Sequence, residues 1–399
     1  MKKLTALFLA LLVCLGAAAC GQTAASAGSQ TSEKEVHQIG VIVYNLGDEE
    51  VVSFREYLQG YIEKNFEMVK FVYSDSIRTP EQEMSFIQNA CDMGVEGFMS
   101  FRTFDLAAEV ALCEKNQAYY MLASGTVDED EFAAVENNPW FLGMFGPGMD
   151  KERSLGVDMA EHFIKEHPSK RYFVLTGGAG MGNDMHRERA IGILETLLNQ
   201  PGVNFTGSVS LLAQATRVTS FSTGDYTVTV CPGYIATDES AFNSAKDTLS
   251  TGSYDAALCV LPPAEVVNYL GTATLGVVDS FNERNFQLFS NGKMNYLAGK
   301  YSSEIGPAFA LMLNAVTGYA EDFRDNGKAL NVNQCLWVAE NADDYSQKYA
   351  LSSSKTMTGF NFDDLSKVCR VFNPNATVDD LVKLAQECSY EAVLARRGG

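Results

Sequence analysis

From residue 38 onward, short runs of β-branched and aromatic residues alternate with longer stretches whose apolar positions recur every three or four residues. Ile39–Tyr44 predicts a strand, and Val51–Asn65 a helix with Val52, Phe54 and Leu58 along one side. Val69–Tyr73 predicts the second strand. Thr79 then stands where a helix cap belongs, with Pro80 at the first helical position and Gly94 past the end. Gly97–Ser100, Leu106–Asn116 and Tyr119–Ala123 continue the alternation. After a stretch read as irregular, Gly125–Asp150, it restarts with a helix at Ser154–Glu166 and a strand at Arg171–Leu175. Met185–Asn199, Thr227–Cys231, Ser240–Ser250, Ala256–Val260 and Leu275–Val278 follow. Gly202–Asp225, rich in Ser and Thr, reads as a hairpin or loop elaboration, Ile305–Thr317 as an apolar helix, and Val378–Glu387 as a helix capped from Asn373–Thr377.

Repeated strand–helix units mean parallel sheets covered by helices on both faces, and 399 residues exceed one compact domain. The expected fold class is α/β, with two doubly wound parallel-sheet lobes joined by a hinge. Open sheets of this kind place ligands beyond the carboxyl ends of their strands, so two facing lobes make a cleft.

The first twenty residues differ from the rest. Lys2 and Lys3 precede the apolar run Leu4–Leu15, and Gly16–Ala19 lead into Cys20, the layout of an export signal. Ala17-Ala18-Ala19-Cys20 resembles a bacterial lipobox, with Ala17 in place of the usual Leu. That likeness implies a signal peptide at 1–19, lipidation of Cys20, and a flexible tether over 20–37. An ordinary secretory signal with an incidental Cys is the other reading. The chain has no apolar run of spanning length.

Composition narrows the partners. Hydrophobic residues make up 46% and charged residues 20%, enough to bury real cores, and the formal charge of −20 repels nucleic-acid backbones and anionic headgroups. No C-x-x-C pair occurs among Cys91, Cys113, Cys231, Cys259, Cys335, Cys369 and Cys388, and the four His have no metal-ligand spacing. Neither a metal nor a cofactor is expected. No nucleophile elbow or distinctive pair of carboxylates appears, so an enzyme is not expected either.

Several segments are similar to the type I periplasmic binding protein family, in its ribose- and galactose-type branch of solute-binding proteins of ABC importers. They are Ile39–Asn45, Tyr73-Ser-Asp75, Asp92–Gly97, Phe141-Leu-Gly143, Val174–Gly177, Arg187–Gly192 and Glu304-Ile-Gly306, in that order and spacing. The related repressors begin with a helix-turn-helix, and this chain begins with a signal-like segment. The resemblance implies a first lobe at 38–143 with 301–327, a second at 144–300 with 328–342, and a helical extension at 343–399. It implies capture of a small polar solute, a sugar or sugar-like molecule, by a lipid-anchored, extracytoplasmic monomer that meets ABC permease subunits. A receptor handing its closed state to a membrane sensor kinase is the alternative.

Site residues carry over position by position. The family's aromatic platform falls on Asn45-Leu-Gly-Asp48-Glu49-Glu50, which has no ring, and its Asp-Arg falls on Ser124-Gly125. Arg187 keeps the family's arginine, and Asp279 matches a late acidic position. Pro262-Pro263 replaces an Asn-Asp, and Lys300, before Tyr301, stands near a hinge glutamine. Expected ligand contacts are therefore Asn45, Asp48, Glu49, Ser124, Arg187, Asp279 and Lys300, joined by Arg102 at a strand end and by Phe104 and Tyr234 as stacking surfaces. For Tyr44, Phe104 and Tyr234, core packing is the competing role. For the acidic run it is capping of a helix, and for Lys300 a solvated surface. The glycine-rich Gly177–Gly182 lacks the Lys-Ser/Thr of a phosphate loop and reads as a strand-to-helix turn.

Overall fold

The computed structural model describes residues 36–233, 241–353 and 359–398. The leader and tether, the lipidation residue Cys20, and Tyr234 lie outside the described residues. Five strands come first: β1 (His37–Val43), β2 (Val69–Ser76), β3 (Gly97–Ser100), β4 (Tyr119–Leu122) and β5 (Phe141–Gly146). Next are β6 (Arg171–Thr176), β7 (Thr219–Thr223), β8 (Tyr226–Pro232), β9 (Ala256–Cys259), β10 (Thr274–Ser280) and β11 (Met294–Lys300). β12 (Leu330–Asn333) and β13 (Trp337–Ala339) complete the set.

They form two sheets, ordered β12-β5-β4-β3-β1-β2 and β13-β11-β10-β9-β6-β8-β7. The first is parallel throughout, and the second is antiparallel only at its edges, β13 against β11 and β7 against β8. β3 and β5 are buried along their whole length because helices cover both faces. The expected two-lobed α/β architecture is what the chain adopts. The cap expected at Thr79 is a full capping box: Thr79 Oγ1 accepts from the Gln82 amide at 3.3 Å, and Gln82 Oε1 accepts from the Thr79 amide at 3.2 Å.

Three readings change. Gly125–Asp150 holds a helix, Glu129–Val135, and the central strand β5, whose Gly143 and Gly146 disguised it. The second sheet gains β11, preceded by the helix Glu283–Ser290, which the short apolar spacing there concealed. Residues 328–342 do not all go to the second lobe. β12 pairs in register with β5, from Leu330 on Gly143 to Asn333 on Gly146, and only β13 joins β11.

The chain therefore crosses between the sheets at Gly146–Gly148, at Lys300–Ile305 and at Asn333–Trp337. The tail then touches both lobes. Helix Ala342–Ser352 packs on Glu283–Ser290, whereas Phe362–Val368 and Val378–Gln386 pack on the buried helix Gly306–Asn314.

Two helices of the second lobe, Met149–Glu166 and Asp184–Leu198, meet backbone to backbone. A Cβ on Gly192 would lie 2.1 Å from the Arg153 carbonyl oxygen, and one on Gly156 2.1 Å from that of Arg189. The glycine closing the Arg187–Gly192 segment is thus a packing requirement. Gly60 has nothing within 4 Å of such a Cβ. We expect Gly192→Ala to destabilise the fold by roughly 1–3 kcal/mol through overpacking. Gly60→Ala should instead stabilise it by roughly 0.5–1 kcal/mol. Urea unfolding of both variants checks the pair, and equal effects would contradict the packing argument.

Candidate ligand-binding cleft

The carboxyl ends of the central strands in both sheets converge where the lobes face each other, and the amino end of helix Glu49–Tyr57 packs against the end of β10. At the centre stands Lys300, the last residue of β11, with only 8% of its side chain exposed. Its ammonium lies 3.2 Å from Glu50 Oε1 and donates to the Ser124 carbonyl at 3.4 Å. Both partners belong to the first lobe, so this cation ties one lobe to the other.

Each partner is there for a local reason. Glu50, largely buried itself, lies four residues before the buried Phe54 and seven before Tyr57, so the helix face that buries the rings carries the carboxylate inward too. Asp48 caps the same helix, accepting from the Glu50 amide at 2.9 Å. Asp279 and Ser280 lie beside Gly299 and Lys300 in the β10–β11 register. Asn285 Nδ2 donates at 2.8 Å to Asp279 Oδ2 and at 2.8 Å to the Ser280 carbonyl.

The electrostatics follow from burial. Desolvation pushes the Asp279 carboxyl up to about 8, and the charges of Asp48 and Glu50 add to it despite the Asn285 hydrogen bond. Burial also lifts Glu50 above the usual carboxylate range, outweighing the Lys300 ammonium. Tyr44 is held far from ionisation by burial and then by Glu50 and Asp48. His186, at the start of helix Asp184–Leu198, is pushed well down by burial and by the cations Arg189 and Lys300, so its imidazole is neutral. Arg189 itself is committed to Glu152 in a buried two-point pair, with Nη2–Oε1 at 2.8 Å.

Ser124 Oγ, Asn285 Oδ1, Gln334 Oε1 and both Glu304 oxygens around this centre, and Thr176 Oγ1 at the end of β6, are buried and make no hydrogen bond within the described residues. Ser124 and Thr176 stand at the ends of β4 and β6, where doubly wound sheets receive ligands. An unpaired buried polar atom costs about 1–3 kcal/mol, so a group that paired these would recover part of that cost.

The structure brings Asp48, Ser124, Asp279 and Lys300 together. Lys300, for which a solvated role was open, is buried. Other expected contacts are engaged elsewhere. The Arg102 guanidinium sits 3.4 Å from the Phe104 ring centroid and donates to the Ile77 carbonyl at 2.9 Å, facing the buried Glu83–Glu109 pair of its own lobe. Asn45 Oδ1 closes its own turn on the Gly47 amide at 3.1 Å, and Glu49 is exposed. Arg187 pairs with Asp184 and Glu188 along its own helix. The sequence reading omitted Glu50, Thr176, His186 and Asn285 from the site. Glu50 was legible from its spacing to Phe54 and Tyr57, and Asn285 from the cap at Asn282, whose Oδ1 accepts from the Asn285 amide at 2.8 Å. The Gly177–Gly182 turn ends in Asn183, which caps the following helix through the His186 amide at 3.0 Å.

No protein-family model and no curated protein matches the chain. Solved structures do. The periplasmic binding protein of an arabinose ABC transporter from Shewanella sp. ANA-3, bound to L-arabinofuranose, aligns at TM-score 0.56 and 12% identity, over 79% of this chain and 95% of that one. A periplasmic solute-binding protein from Actinobacillus succinogenes 130z with bound D-allose aligns at 0.57 and 12%, over 78% and 99%. A solute-binding protein from Bacillus halodurans C-125 with bound myo-inositol aligns at 0.55 and 13%, over 80% and 99%. These likenesses show that the chain shares the two-lobed fold of these solute-binding proteins. Among the described residues, no helix is long and apolar enough to cross a membrane.

Asp279 gives a measurable signature. Its folded value near 8 lies above the roughly 3.9 of an unfolded chain. The folded protein therefore holds a proton that the unfolded chain releases. That stabilisation is complete below the unfolded value and is lost as pH rises through about 8. The unfolding free energy of Asp279→Asn relative to wild type should climb between about pH 5 and pH 8, at about 1.4 kcal/mol per pH unit. Parallel stability curves for the two proteins would show that Asp279 ionises normally.

Proposed function

We propose that this chain is the solute-capturing component of an ABC importer, closing its two lobes on a small hydroxyl-rich ligand, a sugar or a sugar-like polyol. The observation that carries the reading is the interlobe set built on Lys300, Glu50 and Ser124, with the unpartnered Ser124 Oγ and Thr176 Oγ1 at the strand ends. Lys300 is the one cation of that set not already held by a carboxylate of its own lobe. Asp48, Glu50, Asp279 and Glu304 are acceptors or buried acids, so the cleft favours a ligand that offers donors. Hydroxyls supply them, and an ammonium group would do so as well. Arabinofuranose, allose and inositol in the structural neighbours are ligands of this character.

In this reading the ligand displaces cleft water, pairs the orphaned hydroxyls and bridges the lobes beside the Lys300–Glu50 contact, stabilising the closed arrangement. A permease then meets the closed surface. A lipid on Cys20 would hold the monomeric body at the extracytoplasmic face of the membrane.

A thermal-shift panel of pentoses, hexoses, inositols, amino sugars and amino acids tests the ligand class, since a ligand held by the folded state alone raises the midpoint. We expect a polyol or sugar to shift it, and a response confined to amino acids would overturn the proposal. With the active compound, Lys300→Ala should weaken binding by about 2–5 kcal/mol, the range for removing one partner of a buried charged contact. Arg187→Ala, whose partners lie on its own half-exposed helix face, should cost about 1 kcal/mol or less. Calorimetric titration decides between them, and the reverse order would move the site to the Arg187 helix. Replacing Cys20 with Ser should release the protein from the membrane fraction or leave it unprocessed. Correct cleavage with retained membrane binding would point to another anchor.

A further inference from the structure

Cys335 and Cys388 are 53 positions apart in the sequence, yet their sulfurs lie 2.9 Å from each other, and the Cys335 amide donates to Cys388 Sγ at 3.0 Å. Cys335 lies in the third crossing, between β12 and β13. Cys388 lies in the turn between the tail helices Val378–Gln386 and Tyr390–Arg396. That turn already grips the hinge. The Cys388 carbonyl accepts from Tyr301 Oη, on the second crossing, at 3.1 Å, and from Trp337 Nε1, at the end of the third, at 2.8 Å. Tyr301 and Trp337 stack with ring centroids 3.9 Å apart. One turn of the tail thus touches two of the three crossings about which the lobes must move.

We propose that Cys335 and Cys388 form a disulfide that fastens the C-terminal tail to the hinge. Cys335 is exposed, so an oxidant can reach it, whereas Cys388 is buried beside it. The remaining cysteines of the folded body are buried or half-buried, which keeps an oxidant from them. The oxidant is a disulfide, either of a small thiol or of a thiol–disulfide oxidoreductase. The hydrogen bond between the two sulfurs raises the Cys335 thiol and lowers that of Cys388, so the pair shares a proton held on Cys335. Once Cys335 gives up that proton, its exposed sulfur attacks the oxidant and one thiol leaves. The Cys388 thiolate then attacks the resulting mixed disulfide at Cys335 and the second thiol leaves. One sulfur–sulfur bond is made, the oxidant's is broken, two electrons pass to the oxidant, and the two protein protons end on the released thiols.

The bond closes a loop from Cys335 through β13 to Cys388, so it restricts the unfolded chain as well as fastening the tail in the folded one. The inference concerns stability and is independent of which ligand the cleft takes.

The test is peptide mapping of the full chain after incubation with oxidised glutathione, with alkylation of free thiols before digestion. A linked pair of peptides containing Cys335 and Cys388 is expected. Adding a reductant should then lower the thermal midpoint by about 3–6 °C, the scale for a loop of this size in a protein of this length. Cys335→Ser, at an exposed position, should already show the lower midpoint and should not respond to reductant. Cys388→Ala provides the same comparison from the buried side. Complete alkylation of both cysteines after oxidation, or either of them linked to another cysteine, would overturn the pairing. A disulfide that forms without moving the midpoint would overturn the fastening.

Discussion

A lysine ammonium buried between two lobes needs acceptors from both sides, and the arrangement of this molecule around Lys300 follows from that need. Lys300 ends β11 at the rim of the second sheet, while Glu50 and the Ser124 carbonyl reach it from the first. A charge taken out of water is tolerated only when paired. The pairing draws the amino end of helix Glu49–Tyr57 toward β10 and concentrates Asp48, Glu50 and Asp279 within reach of one another. Their mutual repulsion and their burial hold part of that acid set protonated. The cleft thereby becomes rich in oxygen atoms that accept or share protons, and modest in cation charge.

Around this centre the scaffold is made rigid by means that have little to do with a ligand. Arg189 and Glu152 form a buried two-point ion pair that also reaches the Val260 carbonyl at 3.2 Å, joining two helices to the end of β9. Gly156 and Gly192 let those helices approach at backbone distance. In the first lobe, Glu109 gathers the Thr103 and Tyr120 hydroxyls, each at 2.7 Å, and the Phe104 and Asp105 amides, and this fixes the loop after β3. Arg102 is part of that internal network. The distinction between arginines that hold the frame and the lysine that faces the cleft is thus one of partners: Arg189 and Arg102 spend their donors within a single lobe.

The tail adds a connection beyond the three crossings. Tyr57 Oη donates to the Phe360 carbonyl at 2.6 Å and the Phe362 amide donates to Tyr61 Oη at 2.9 Å, which fixes the tail to the first lobe. Helix Ala342–Ser352 stays with the second, where Tyr345 packs on Phe281 and Phe289. A segment that binds both lobes and touches the hinge sets how freely the lobes can move relative to each other.

What the sequence determined by itself was the sequence of elements. Alternating periodicities of two and about 3.6, with local caps such as Thr79-Pro80-Glu81-Gln82, are decided within a few residues of chain and so can be read directly. The two-lobed α/β class follows from them, whereas Ser124, Asp279 and Lys300 became candidates through the family resemblance, position by position. What only the tertiary structure decided was which of those candidates share a space. Glu50 and Lys300 are separated by 250 positions, Cys335 and Cys388 by 53, and no local pattern encodes either meeting. Arg102 carries the same chemistry as a ligand-binding arginine, and only the Ile77 carbonyl and the buried Glu83–Glu109 pair, brought to it by the fold, show where its charge is used. The physical reason is that burial and pairing are properties of distance in space, whereas helix, strand and cap are properties of distance along the chain.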